Sequence, residues 1–190
     1  MNVVIIPARG GSKRLPKKNI RDFNGKPIIS YAIQTAIESK NVDKVYVSTD
    51  NQEIVDIALQ YGAEVPFLRP KQLSDDFTTT SEVMAHAVKK ILEIEIEIEF
   101  CCCLYPCTPL LRSKILDDSL DRLKGQNKKE FIFPIIKFNS SIYRALSLND
   151  RNEIISLFPE NDLVRTQDLK EAYFDSGQFY WGDKQAWLDK

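Results

Sequence analysis

Short apolar runs alternate along the chain with longer segments whose apolar residues recur at helical spacing. Val3 to Ile6 has no polar position, the pattern of a strand buried on both faces of a parallel sheet, and it ends at Pro7. Pro27 to Ile37 carries Ile28, Ile29, Ala32, Ile33, Ala36 and Ile37 at helical spacing, which predicts a helix with Pro27 in its first turn, where a missing N–H costs little. Val45 to Val47 repeats the short strand. Ser48, Thr49 and Asp50 then offer capping chemistry for a helix over Ile54 to Leu59 that stops at Gly62. Ala63 to Phe67 reads as a further strand and Leu68 to Phe77 as a loop. Thr79 to Glu82 matches a capping box ahead of the apolar face Val83, Ala87, Val88, Ile91 and Leu92. Ile94 to Phe100 alternates Ile and Glu with the period of a strand, although its Glu-rich composition also suits a frayed helix end. Phe100 to Leu104 is the next buried strand, Tyr105-Pro106-Cys107-Thr108-Pro109 closes it, and Ile115 to Leu123 is helical up to Gly125.

Strands alternating with helices in this way predict an α/β fold with an open, mostly parallel sheet. From Phe131 the texture changes. Phe131 to Phe138 is apolar, polar turns and Ile154 to Phe158 follow, an acidic helix is expected around Gln167 to Ala172, and Phe174 to Trp181 returns as an aromatic strand. This stretch reads as a β-rich arm on a single domain of 190 residues, with no repeat at solenoid periods.

Composition narrows the function classes. The chain is 43% hydrophobic and 28% charged, long enough to bury a core without metal or disulfide staples. Cys101, Cys102, Cys103 and Cys107 fit neither a disulfide framework nor paired zinc spacing and read as small hydrophobes of a buried strand. Twenty-six basic residues against 27 acidic ones give a net charge of -1, which argues against nucleic-acid or anionic-membrane binding through bulk charge. No apolar run approaches the roughly 18 residues of a spanning helix, and no signal pattern opens the sequence, so a cytoplasmic location is expected.

Charge is concentrated locally instead. The loop after the first strand runs Pro7-Ala8-Arg9-Gly10-Gly11-Ser12-Lys13-Arg14-Leu15-Pro16-Lys17-Lys18-Asn19, with Arg21 and Lys26 close behind. At the carboxyl end of a strand, Gly10-Gly11 lets backbone N–H groups approach an anion while Arg and Lys supply mobile charge. A polyphosphate suits this loop, although a solvated basic loop has the same composition. The sequence is neither a Walker A loop nor a dinucleotide fingerprint.

Together with Ser48-Thr49-Asp50-Asn51 and Leu68-Arg69-Pro70, this loop resembles the cytidylyltransferases that activate acidic nine- and eight-carbon sugars. Within that Rossmann-like nucleotide-diphospho-sugar transferase family, several further segments resemble the pseudaminic acid branch. These are Phe67-Leu68-Arg69-Pro70, Ser74-Asp75-Asp76-Phe77-Thr78-Thr79-Thr80, Tyr105-Pro106 and Asp175-Ser176-Gly177-Gln178-Phe179-Tyr180-Trp181. The resemblance covers nearly the whole chain and implies that the anomeric hydroxyl of an acidic sugar attacks the α-phosphate of CTP. Pyrophosphate then leaves with the help of Mg²⁺. Catalytic roles fall on Arg9 and Lys18, which match positions holding the triphosphate. Lys13 assists, and Ala8, Gly10, Gly11 and Ser12 present the loop. Arg69 matches the residue reading cytosine, with Asn19 and the backbone near Thr78 and Thr79 completing that pocket. The competing readings are a surface arginine ending a strand and ordinary capping threonines.

For the acidic sugar the resemblance points to Tyr105, Arg112, Gln178 and Tyr180. Sialate enzymes commonly carry Gln at the position of Tyr105, which suggests a different acceptor, and Tyr180 also fits a core aromatic. His86, the single histidine, is expected to be structural within the third helix. Residues 137–172 correspond to the family's dimerisation arm, so a homodimer is implied. Family members continue into a strand with a metal-binding Asp-x-Asp motif that is not present up to Lys190. The Mg²⁺ ligands are therefore expected beyond this sequence, and no residue in it is assigned to metal. The alternatives are a synthetase for sialic or legionaminic acid, and a truncated, non-catalytic CTP-binding protein.

Overall fold

The computed structural model describes residues 1–13, 15–95, 97–125 and 131–189. In chain order the elements are β1 (Asn2–Pro7), the short hairpin β2 (Asp22–Phe23) and β3 (Lys26–Pro27), α1 (Ile28–Ile37), β4 (Lys44–Ser48), α2 (Gln52–Gln60), α3 (Thr80–Leu92), β5 (Phe100–Leu104), α4 (Ser113–Lys124) and β6 (Phe131–Ile132). They continue with β7 (Ile135–Lys137), β8 (Leu146–Leu148), β9 (Ile154–Ser156), β10 (Tyr173–Asp175), β11 (Phe179–Asp183) and α5 (Lys184–Leu188). Residues 1–133 with 177–190 form one compact unit, and residues 134–176 form a second.

The first unit is built on a sheet of order β4-β1-β5-β11-β6. β1 runs parallel to β4 and β5, whereas β11 is antiparallel to β5 and β6. The sheet is therefore mixed around a parallel core. Alternation along β1 explains its unbroken apolar run. Val4 and Ile6 join a core with Ile29 and Ile33 of α1, Ile54 of α2 and Leu116 and Leu120 of α4. Val3 and Ile5 face the opposite core, with Met84, Val88 and Ile91 of α3 and Trp187 of α5. Both faces need helical cover, which is the condition that favours parallel strands. From β1 the chain passes through α1 to β4 on one side, then through α2 and α3 to β5 on the other. This reversal opens a crevice at the carboxyl ends of β1 and β5.

The predicted strands at Val3–Ile6, Val45–Val47 and Phe100–Leu104 and the four helices predicted between Pro27 and Leu123 form, and the Thr79 capping box is complete in both directions. Gly62 ends the α2 region with φ of +92°, a conformation side chains disfavour. Several expectations are corrected. Pro27 lies ahead of the first helical turn, in β3. The cap of α2 is Asn51, whose side chain accepts from Ile54 N at 3.1 Å, and not Asp50. Ala63 to Phe67 is no continuous strand: among the described residues it bridges the sheet at Tyr46–Glu64 alone, with a second isolated bridge at Thr49–Leu68 just past its end, because Pro66 between them lacks the donor a ladder needs.

In the Ile94 to Phe100 stretch the strand begins at Phe100, and Ile96 is outside the described residues. Glu95 there accepts from Lys44 Nζ and Tyr46 OH, at 2.5 and 2.7 Å, so the alternation reflects individual side-chain partners and not a ladder. The acidic helix around Gln167 to Ala172 is reduced to one 3₁₀ turn at Thr166–Asp168, since the segment has too few apolar residues to bury a helical face. Phe174 to Trp181 is two strands, β10 and β11, divided at Gly177 with φ of +63°.

The second unit pairs β7 with β10 and β8 with β9, both antiparallel. Inside it Tyr143 packs edge-on against Phe158 at 5.7 Å, and Arg144 donates to the carbonyls of Asp162 and Val164. Among the described residues no helix is long and apolar enough to cross a membrane.

Cys101, Cys102 and Cys103 are fully buried in β5, with Cys102 on one face and its neighbours on the other. Burial pushes all three thiols up, away from the reactive thiolate. Cys107 departs from the expectation: it lies beyond the strand and is half-buried. A thiol-specific chromogenic reagent is accordingly expected to label Cys107 alone in the native protein and all four cysteines in denaturant. Native labelling of Cys102 would contradict the buried β5.

Candidate active site

The crevice at the strand ends is a cavity of about 960 Å³, within the size range of small-molecule sites. Three segments supply most of its lining, and Gly177 adds to it. The loop after β1 contributes Arg9, Ser12, Lys13, Lys18 and Asn19; the stretch from Arg69 to Val83 contributes Arg69, Asp75, Asp76, Thr78 and Thr80; and the turn after β5 contributes Tyr105 and Cys107.

Backbone contacts fix the base of the first loop. Ala8 is fully buried and donates to the Ser48 carbonyl at 2.9 Å, extending the β1–β4 pairing. Gly10 N donates to Asp50 Oδ1 at 2.9 Å, and a Cβ on Gly10 would lie 2.8 Å from Asn51 Cβ, so only glycine permits this approach. Gly10 and Asn51 also line a smaller recess of about 120 Å³. Asn19, buried, donates from Nδ2 to the Arg9 carbonyl at 3.0 Å and accepts from Cys107 Sγ at 3.6 Å. Lys17 ties the far end of the loop to Glu53 of α2 at 2.7 Å. Arg14 is outside the described residues.

Arg69 is 5% exposed, and its Nε and Nη2 have no hydrogen-bond partner among the described residues. Its backbone N–H donates to the Thr49 carbonyl at 2.7 Å, which fixes the root of the side chain at the end of β4. Burial lowers the guanidinium pKa, the negative charge of Asp50 opposes that, and Arg9 adds to it. Buried donors without acceptors are costly. This geometry therefore points to a ligand that supplies the acceptors.

Opposite the loop, Asp75 accepts from Phe77 N at 2.9 Å and from Thr78 N and Oγ1 at 2.7 Å each. Those bonds from Thr78, then Phe77, hold its carboxyl below the usual carboxylate range. Asp76 pairs with Arg9 Nη2 at 2.8 Å and with Lys13, whose hydrogen bond is the main cause of its lowered pKa. Arg9 also donates to the Asp75 carbonyl. Tyr105 OH and Thr80 Oγ1 are 3.1 Å apart, and Tyr105 N donates to the Gln178 carbonyl at 2.9 Å.

Of the residues singled out in the sequence, Arg9, Ser12, Lys13, Lys18, Asn19, Arg69, Thr78 and Tyr105 share this cavity. Gly11 is exposed with open space around it, and Thr79 is engaged in the α3 cap. Arg112 sits ahead of α4, exposed and outside the cavity lining. Tyr180 packs against Tyr105 and Phe133, with ring centroids 5.9 and 5.5 Å apart, and supports the wall from behind. His86 packs edge-on against Phe67 at 5.4 Å and lies outside the lining, and burial, then the charge of Lys90, lowers its pKa. Thr80, Asp75, Asp76 and Cys107 line the cavity without having been assigned a role; the adjacent Asp pair facing a basic loop was the signal available for two of them.

A cluster of cations at one side and a buried guanidinium fork at the other suit a ligand with a polyanionic end and a flat, acceptor-bearing end. A family model described as "Cytidylyltransferase" matches residues 3–188. The chain is 44% identical over its full length, and over 81% of the relative, to a pseudaminic acid cytidylyltransferase of Campylobacter jejuni subsp. jejuni. It is 34% identical, over 76% of this chain and 62% of the relative, to a CMP-N,N'-diacetyllegionaminic acid synthase of Legionella pneumophila. Among solved structures, a CMP:2-keto-3-deoxy-manno-octonic acid synthetase complexed with CTP superposes with a TM-score of 0.75 at 19% identity, covering 99% of this chain and 76% of that one. That likeness establishes the fold, the α/β Rossmann-like type expected from the sequence.

The unpartnered Arg69 sets function against stability. Arg69→Met, which keeps the volume and removes the unpaired donors, is expected to stabilise the ligand-free protein by about 1 kcal/mol in denaturant titrations while removing CTP binding in calorimetry. Lower stability would show that the guanidinium is satisfied in the free protein.

Proposed function

The chain belongs to the cytidylyltransferase family and is a CTP-dependent enzyme of that family, and we propose that its acceptor is pseudaminic acid, converted with CTP to CMP-pseudaminic acid and pyrophosphate. The observation that carries the nucleotide site is the buried, unpartnered Arg69 in the same cavity as Arg9, Lys13 and Lys18. Similarity along the whole chain to the Campylobacter enzyme supports the acceptor.

In this reading the Arg69 fork donates to cytosine O2 and N3, and Asn19 and the backbone near Thr78 and Thr79 complete the base pocket. Arg9 and Lys18 hold the triphosphate, Lys13 assists, and the Gly10-Gly11-Ser12 turn, with its Gly10 N–H held by Asp50 and its Ser12 N–H by the Gly10 carbonyl, presents them. The sugar's anomeric oxygen forms a bond to the α-phosphorus as the bond from that phosphorus to the β-bridging oxygen breaks. The electron pair leaves on pyrophosphate. Such a displacement is accelerated by alignment and by cations at the leaving group. Tyr105, held by Thr80 and by the carbonyl of Gln178, faces the acceptor, and Tyr180 supports it. Arg112, exposed ahead of α4 and outside the lining of this cavity, stays a candidate for the acceptor on the resemblance alone.

Mg²⁺ would neutralise charge on the phosphates. Among the described residues no three His, Cys, Asp or Glu side chains converge as a metal site, so none is assigned to it. Residues 134–176 are proposed as a homodimerisation arm, supported by exposed aliphatics such as Leu146, Ile154 and Leu163.

The test is pyrophosphate release from CTP and Mg²⁺ with pseudaminic, N,N'-diacetyllegionaminic and sialic acids compared at equal concentration. A preference of at least about tenfold for pseudaminic acid is expected, the discrimination that a few hydrogen bonds can supply. Preference for either other acid would overturn the acceptor. Arg9→Ala should lower kcat/KM for CTP by about 10²-fold or more, and unchanged turnover would remove that loop from the site.

A further inference from the structure

Two of the cations that face the cavity, Arg9 and Lys13, are already paired within the chain. The Asp76 carboxylate binds Arg9 Nη2 at 2.8 Å through one oxygen and Lys13 Nζ through the other. Nothing in the local fold requires this arrangement. Asp75 closes the turn by accepting from Phe77 N, Thr78 N and Thr78 Oγ1. Ser74 N bonds the Lys71 carbonyl at 3.0 Å, Thr78 Oγ1 bonds the Gln72 carbonyl at 3.2 Å, and the Thr79–Glu82 box starts α3. None of these bonds uses the Asp76 carboxylate, and all three ion-pair members line the cavity.

We propose that Asp76 is an exchange counter-ion: it holds Arg9 and Lys13 across the cavity, yields them to the incoming triphosphate, and takes them back as pyrophosphate departs. This rests on the reading of the cavity as the CTP site. The physical argument is competition. A carboxylate carries one charge and a triphosphate several, so the polyanion wins both cations at saturating CTP. Pyrophosphate, once detached from the nucleotide, loses the tethering of the base and faces a competitor fixed beside it. Asp76 is therefore a positioning residue whose removal should strengthen anion binding, whereas loss of an ordinary structural contact weakens it.

The experiment measures binding of inorganic tripolyphosphate and pyrophosphate by calorimetry, and of CTP in parallel, to the wild type, Asp76→Asn and Asp76→Glu. Product inhibition by pyrophosphate is measured alongside. Asp76→Asn is expected to bind tripolyphosphate and pyrophosphate about three- to tenfold more tightly at low salt, the scale of two exposed ion pairs. The gain should shrink as salt screens the cavity. Pyrophosphate inhibition should tighten by the same factor, KM for CTP should fall, and Asp76→Glu should stay near the wild type. Unchanged or weaker anion binding by a folded Asp76→Asn, judged by its thermal melt, overturns the exchange. Should that variant fail to fold, Asp76→Ser repeats the measurement with a short polar side chain. A wild type that binds neither CTP nor tripolyphosphate overturns the CTP site itself. Wild-type binding without tightening in the variant overturns Asp76's role alone.

Discussion

The two-sided burial of β1 is the constraint from which the site follows. A strand with Val3, Val4, Ile5 and Ile6 all fully buried must be covered by helices on both faces and paired on both edges. Parallel neighbours satisfy that demand only through helical crossovers, and here they go to opposite sides, to β4 and to β5. The loop leaving Pro7 and the turn leaving Leu104 therefore diverge around a crevice. No polar residue is needed to create the cavity. The apolar pattern opens it, and the polar residues at the strand ends give it a chemistry.

That chemistry is a local imbalance within a chain of net charge -1. Arg9, Lys13 and Lys18 are solvated at least in part, and two of them are balanced by Asp76. Arg69 is different: it is buried near Asp50, without a hydrogen-bonded acceptor for two of its donors. Exposed pairs cost little to form or to break, whereas buried unpaired donors penalise the free protein. The cavity thus divides its work. In the proposed reading the exposed cations supply adjustable attraction for phosphates, and the buried guanidinium supplies a fixed, directional demand for acceptors, which discriminates more sharply than charge does.

Legibility followed the range of the interactions. Elements set by unbroken apolar runs or helical faces, such as β1, β5 and α3, could be read from the sequence, as could the Thr79 box, because each depends on neighbouring residues. Failures came where a partner distant in sequence decides. Glu95 is drawn to Lys44 and Tyr46 from 51 and 49 residues away, and the alternation around it imitates a strand. Asp50 looks like a cap but is taken by Gly10, leaving the cap to Asn51. At the site, cation-bearing positions stand out by composition. The Asp76 pairing and the position of Arg112 outside the cavity lining depend on how loops fold back, which spacing does not encode.

The two ends of the cavity are also built to different stiffness, and this bears on how it works. Tyr105 stands at the end of β5, where its N–H meets the Gln178 carbonyl at the start of the β5–β11 ladder, its hydroxyl meets Thr80 at the first turn of α3, and its ring is braced by Tyr180. The proposed acceptor end is thereby attached to the sheet and to a capped helix. The proposed phosphate end is a glycine-containing loop, anchored at Gly10, Lys17 and Asn19, that carries long cationic side chains. In-line transfer needs the attacking oxygen held against a defined wall, while charge moves along the triphosphate as the bond breaks. A rigid acceptor wall facing adaptable cations meets both requirements, and the constraint on β1 places them a few residues from the same two strand ends.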